Sequence, residues 1–126
     1  MNGRDYQKLA MRTNDGKNTA RLAGVAAYGE ETTVDMGGIF DACLGLSGEV
    51  GELNDMIKKW VFHEKPIDIM HAKKELGDVL WYVAMMCESF GWDLDEIMQM
   101  NIDKLKARYP EGFDIAKANN RASGDV

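Results

Sequence analysis

The chain has 126 residues, 45% hydrophobic and 29% charged, with a net charge of −6, a balance that suits one soluble globular domain. The acidic excess excludes a nucleic-acid backbone as the main partner, because phosphate neutralisation needs a basic surface. No apolar run approaches the ~18 residues of a membrane span and no signal segment is evident, so a cytoplasmic location is expected, with Cys43 and Cys87 as free thiols.

Hydrophobic spacing predicts helices and no strand. "DYQKLAMRT" reads as a first helix with Asp5 as its N-cap. Residues 14 to 37 are rich in Gly, Asn and Thr at both ends, with a short helical piece around "TARLAGVAAY". From about Gly38 to Val61 a long amphipathic helix is expected. Its seam is Ile39, Cys43, Leu46, Val50, Leu53, Ile57 and Trp60, in alternating steps of four and three. "FHEKP" breaks it, with Pro66 suited to the first turn of the next helix. Ile69, Ala72, Leu76, Val79, Val83, Met86 and Phe90 form a second seam that Gly91 ends. Both cysteines fall on seam positions and are expected as buried, inert thiols. Asp93 and Glu96 make a capping-box-like start for a last helix ending near Tyr109-Pro110. Residues 1–113 are expected as a single all-α domain and 114–126 as a flexible tail.

Two long helices joined by a short breaker should fold back as an antiparallel hairpin. Residues at one height then share a constant sum of their numbers. Glu52 with Glu75, and Glu49 with Asp78, share the same sum, so two acidic pairs are placed at one level. Relative to the seams, Glu49 and Glu75 take g positions and Glu52 and Asp78 take c positions, which puts all four on one side. Four crowded carboxylates repel unless water or a cation screens them. With only oxygen donors gathered there, Mg²⁺ is the expected guest and Mn²⁺ its substitute, rather than zinc. A di-iron bundle is disfavoured, because neither His63 nor His71 follows a glutamate by three residues. The competing interpretation is a solvated acidic face on a non-catalytic helical interaction protein.

On the last helix Asn101, Lys104 and Arg108 form one stripe. A cation on one side and basic residues on the other suit a polyphosphate, although Lys104 and Arg108 also suit a helix C-terminus. Tyr82, one turn beyond Asp78, is a candidate nucleotide contact or a half-buried packing residue. Trp60, Trp81 and Trp92 read as core or surface anchors, and Lys58, Lys59, Lys73 and Lys74 as solvated faces.

The blocks "GLSGEVGELNDMIKK", "KKELGDVLWYVA" and "NIDKLKARYPEGF" together resemble the MazG-like branch of the all-α nucleoside triphosphate pyrophosphohydrolases, over about Gly45 to Phe113. "DYQKLAMRT" is similar to the first helix of short stand-alone members, phage-encoded ones among them. The resemblance implies a four-helix-bundle-like core built on the hairpin, and relatives that assemble as homodimers or homotetramers. It implies Mg²⁺ ligands at Glu49, Glu52, Glu75 and Asp78, and phosphate contacts from Asn101, Lys104 and Arg108. The implied reaction hydrolyses a nucleoside triphosphate between its α and β phosphates, with Glu49 or Glu52 the best candidates to activate water. Where the family often carries a basic residue one turn before the second motif, this chain has His71.

Overall fold

Asn2, rather than Asp5, opens the first helix. Its side chain accepts the Asp5 amide at 2.9 Å, and the Asp5 carboxylate reaches back to the Asn2 amide at 3.4 Å. Asp5 is thus the third residue of a reciprocal cap that satisfies two otherwise free donors. The computed structural model describes all 126 residues and contains helices but no strand. In chain order these are α1 (Gly3–Ala10), a 3₁₀ turn (Met11–Thr13), α2 (Asn18–Glu31), α3 (Met36–Phe62), α4 (Ile69–Phe90), α5 (Leu94–Arg108) and α6 (Ile115–Asn119). The helical piece expected around residues 19–28 is the middle of the longer α2. Just ahead of it, Asp15 accepts the Lys17 amide at 3.0 Å and grips Arg21 inside the first turn.

Asp35 starts α3 by accepting the Gly38 amide at 3.0 Å. Its far end closes when the amides of His63 and Lys65 both donate to the Lys59 carbonyl, at 3.0 and 3.1 Å. Glu64, with φ 52°, supplies the left-handed residue that this closure requires. Pro66 lies in the connection and not in the first turn of α4. Asp68 sets that start instead, because its side chain accepts the His71 amide at 3.0 Å. Gly91, with φ 74°, ends α4 as expected. At α5, Asp93 makes no side-chain capping bond, so the expected box with Glu96 does not form. Asp95 and Glu96 act on the positive end of the helix through charge alone.

The main packing is α3 against α4, running antiparallel, with α2 touching α3 and no comparable packing of α5. The Asp35 amide donates to the Ser89 carbonyl at 2.9 Å and ties the open end of the pair. The contact face keeps Ile39, Leu46 and Leu53 of the predicted α3 seam and Ala72, Val79 and Met86 of the α4 seam, while its other positions shift by one residue. On α3 it runs through Gly38, Ile39, Ala42 and Gly45 to the half-buried Leu46, Glu49, Leu53 and Met56. On α4 it runs through Ala72, Glu75, Val79, Tyr82, Met86 and Ser89. Gly38 meets the Ser89 hydroxyl and Gly45 meets the Tyr82 ring, each so closely that a Cβ has no room. Small residues let the two backbones approach on this side, which rotates the larger apolar residues outward. Cys43 is therefore exposed, contrary to expectation, and only Cys87 is buried.

Only six of the 126 residues are buried. Val50, Ile57 and Trp60 of α3, Leu76, Leu80 and Trp81 of α4, and Met98, Ile102 and Leu105 of α5 are all exposed. A single copy leaves much apolar surface in water, the mark of a surface that packs against something. Residues 114–126 carry α6, with Asp114 accepting the Lys117 amide at 3.0 Å, and return to α5 through an Arg108–Asp125 pair. No helix is long and apolar enough to cross a membrane.

Candidate metal centre

Gly45 lets α4 approach α3 one turn before Glu49, and that approach brings the acidic side chains together. One carboxylate oxygen from each of Glu49, Glu52 and Glu75 lies within 4.8 Å of the others. Glu52 is exposed, Glu49 half-buried and Glu75 buried at 7% exposure. Two of the oxygens, Glu49 Oε2 and Glu75 Oε2, are buried and have no hydrogen-bond partner. An ionised oxygen out of water without a donor is unfavourable. A proton between the carboxylates satisfies it, and so does a hard cation.

The charges respond accordingly. The Glu75 carboxylate beside them, placed to accept their proton, pushes both Glu49 and Glu52 above the ordinary glutamate range. Partial burial and the neighbouring acids add to this, Asp78 among them. Glu75 moves the other way, held down first by Glu49 and then by His71 and Glu52, against the effect of its burial. Carboxyls this close share their protons as a set. Three converging carboxylates, two of which each carry a buried oxygen without a partner, fit a divalent cation such as Mg²⁺ or Mn²⁺ and offer no soft ligand.

A cleft of about 600 Å³ opens beside this cluster, lined by Glu52, Asp55, Lys59, Lys65, His71 and Glu75 among others. Asp55 there pairs with Lys59 at 2.6 Å and Lys58 at 3.3 Å, and both lysine side chains stay largely exposed. His71 Nε2 lies 2.6 Å from Glu75 Oε1. Sequence reasoning weighed His71 only as a poor iron ligand and a missing phosphate contact. The usable signal was its position, three residues after the capping Asp68 and four before Glu75, which aims its ring along the helix at Glu75.

Other predicted residues lie elsewhere. Asp78 is exposed and is not among the three converging oxygens, although its charge is felt at Glu49 and Glu52. Tyr82 is half-buried, with its ring over Gly45 and edge-on to Trp81 at 5.0 Å. Asn101 and Lys104 are exposed on α5, and Arg108 lines a cavity that holds none of the clustered acids. The Arg108 guanidinium donates to both oxygens of Asp125, from Nε at 2.8 Å and from an Nη at 2.6 Å. Their side chains are 9% and 16% exposed. A second cavity, about 330 Å³ in volume, is lined there by Lys104, Arg108, Lys117, Arg121 and Asp125. Within one copy the acids and the basic stripe therefore do not share a pocket.

Comparison with known proteins fits this geometry. Residues 41–113, more than half of the chain, match the MazG nucleotide pyrophosphohydrolase domain. The matched stretch contains all four acids and the α5 stripe. The chain is also 33% identical to the Gene 37 protein of Mycobacterium phage L5 over 89 residues, which cover 67% of this chain and 77% of that protein. No solved structure matches it. With the acid-bearing α3 and α4 and the whole of α5 inside the matched residues, the chain belongs to the MazG nucleotide pyrophosphohydrolase family.

Proposed function

We propose that this protein is a Mg²⁺-dependent nucleoside triphosphate pyrophosphohydrolase of the cytoplasm. It hydrolyses the α–β anhydride to a nucleoside monophosphate and pyrophosphate and so clears nucleotides from the pool. The observation that carries the reading is the convergence of Glu49, Glu52 and Glu75 with two buried oxygens left unsatisfied, inside the family's own domain. A solvated docking edge gives no reason for those two oxygens.

Glu49, Glu52 and Glu75 hold the cation, with Asp78 completing the set from one turn further along α4. When bound, the cation supplies polarisation of phosphoryl oxygens and easier ionisation of water. Glu49 or Glu52 takes a proton from the attacking water as its oxygen bonds to phosphorus, and the bridging bond breaks to release pyrophosphate. Asn101, Lys104 and Arg108 bind phosphate oxygens, and Lys104 and Arg108 offset charge on the leaving pyrophosphate. Tyr82, one turn beyond Asp78, is the candidate to touch the nucleoside.

Because the basic stripe stands apart from the acids in one copy, the working form is a homodimer or homotetramer. Association covers the apolar stripe of Val50, Ile57, Trp60, Leu76 and Leu80. The test is a panel of ribo- and deoxyribonucleoside triphosphates with Mg²⁺, scored separately for pyrophosphate and orthophosphate. Pyrophosphate with monophosphate supports the reading, whereas orthophosphate alone overturns it.

A further inference from the structure

We propose that His71 is a positioning residue that decides which oxygen of Glu75 is offered to a divalent cation. The inference rests on the metal-dependent reading above and deepens it.

Asp68 fixes the first turn of α4 by accepting the His71 amide at 3.0 Å. His71 and Glu75 are then one turn apart on the same face, and His71 Nε2 meets Glu75 Oε1 at 2.6 Å. A carboxylate acceptor selects the imidazole form that carries its proton on Nε2. Glu75 Oε1 is thereby engaged, while Glu75 Oε2 is buried and without a partner, and one oxygen of Glu75 converges with Glu49 and Glu52. Held in this way, Glu75 is a one-oxygen donor in a fixed plane. Without His71 the carboxylate can rotate, offer either oxygen or chelate through both, and must be ordered anew whenever an ion binds.

Exposure separates this role from a structural one. The His71 side chain is 54% exposed, against 10% for Glu75. The imidazole covers the cleft side of Glu75 and fills no core space, so its removal leaves water at Oε1 and not a cavity. Its worth is expected in the affinity of the centre rather than in the fold.

The experiment measures Mn²⁺ binding to the full chain by electron paramagnetic resonance of the free ion, for wild type, His71→Ala and His71→Gln. Melting temperatures without metal are recorded in parallel. His71→Ala should weaken Mn²⁺ binding about 10–100-fold, the usual effect of losing a partner that orients a ligand, with the metal-free melting temperature unchanged. His71→Gln should recover most of the affinity, because its amide N–H reaches the same carboxylate. Wild-type affinity in His71→Ala overturns the proposal. So does a His71→Gln variant as weak as His71→Ala, or nitrogen coupling to Mn²⁺ in wild type that vanishes in His71→Ala, which makes the imidazole itself a ligand. A wild-type chain that binds no Mn²⁺ sinks the metal-dependent reading and this inference together.

Discussion

Gly45 of α3 lies directly beneath the ring of Tyr82 of α4, with no space for a side chain between them. The contact lies one turn from Glu49, so it sets how closely the acidic residues of the two helices approach. Gly45→Ala should destabilise the protein by about 1–3 kcal/mol, the usual cost of overpacking, and weaken Mg²⁺ binding as the helices part. Gly77→Ala is the matching control. It sits inside α4 with nothing within 4 Å of the added carbon, and it should gain roughly 0.5–1 kcal/mol from helix propensity. Urea unfolding of the two variants separates steric from intrinsic effects.

The acids should behave as a strained set relieved by a cation. Glu52→Gln removes a crowded charge that the fold resists, so it should not lower the melting temperature of the metal-free protein, whereas Glu75→Gln also loses the charged partner of His71 and should lower it slightly. Mg²⁺ at 100 times its Kd should stabilise the wild type by about 2.7 kcal/mol through linkage, and both variants should lose most of that gain. Turnover should fall about 10²–10⁴-fold for whichever of Glu49 and Glu52 takes the proton from water. Differential scanning calorimetry with and without Mg²⁺, beside a pyrophosphate-release assay, checks both effects. Unfolding of the glutamine variants would make the cluster a structural ion network.

Asp125 occupies the fork of Arg108 that a phosphate would need. If Arg108 binds substrate phosphate, Asp125→Asn should lower KM several-fold with little change in kcat, as steady-state kinetics would show. The pair also makes a pH prediction. Arg108 beside it holds Asp125 below its ordinary value of 3.8, so the folded state keeps the carboxylate ionised longer than the unfolded chain does. Its stabilisation is fully present above the ordinary aspartate range and fades as pH falls through the lower, folded value. The difference in melting temperature between wild type and Asp125→Asn should therefore stay level near neutrality and shrink only in strong acid.

Glu64 closes α3 with a left-handed backbone, φ 52°, where a side chain is disfavoured. Glu64→Gly should raise stability by about 1 kcal/mol, since glycine adopts this conformation without the Cβ clash. Chemical denaturation measures it. Unchanged or lower stability would mean that the Glu64 side chain contributes more than its backbone strain costs.

Much of this protein is legible before any coordinates. The steps of four and three from Ile39 to Trp60 and from Ile69 to Phe90 define two long helices, and Gly91 marks a stop, because helical periodicity and capping are properties of neighbouring residues. The three blocks that carry the family resemblance are equally local. Other features depended on how whole helices meet. The seams held at Ile39, Leu46, Leu53, Ala72, Val79 and Met86, but the face is offset by one residue at other positions, toward Gly38, Ala42 and Gly45, where the helices approach too closely for a side chain at either glycine. That left Cys43 in solvent and brought Glu49 and Glu75 from the edge of the contact into it. The partnership of Arg108 with Asp125, seventeen residues apart, is likewise invisible to periodicity. The chain by itself determined which segments are helical and which acids are available. Only the tertiary structure decided which oxygens converge, because that depends on the rotation of each helix, and rotation is set by the smallest side chains between them.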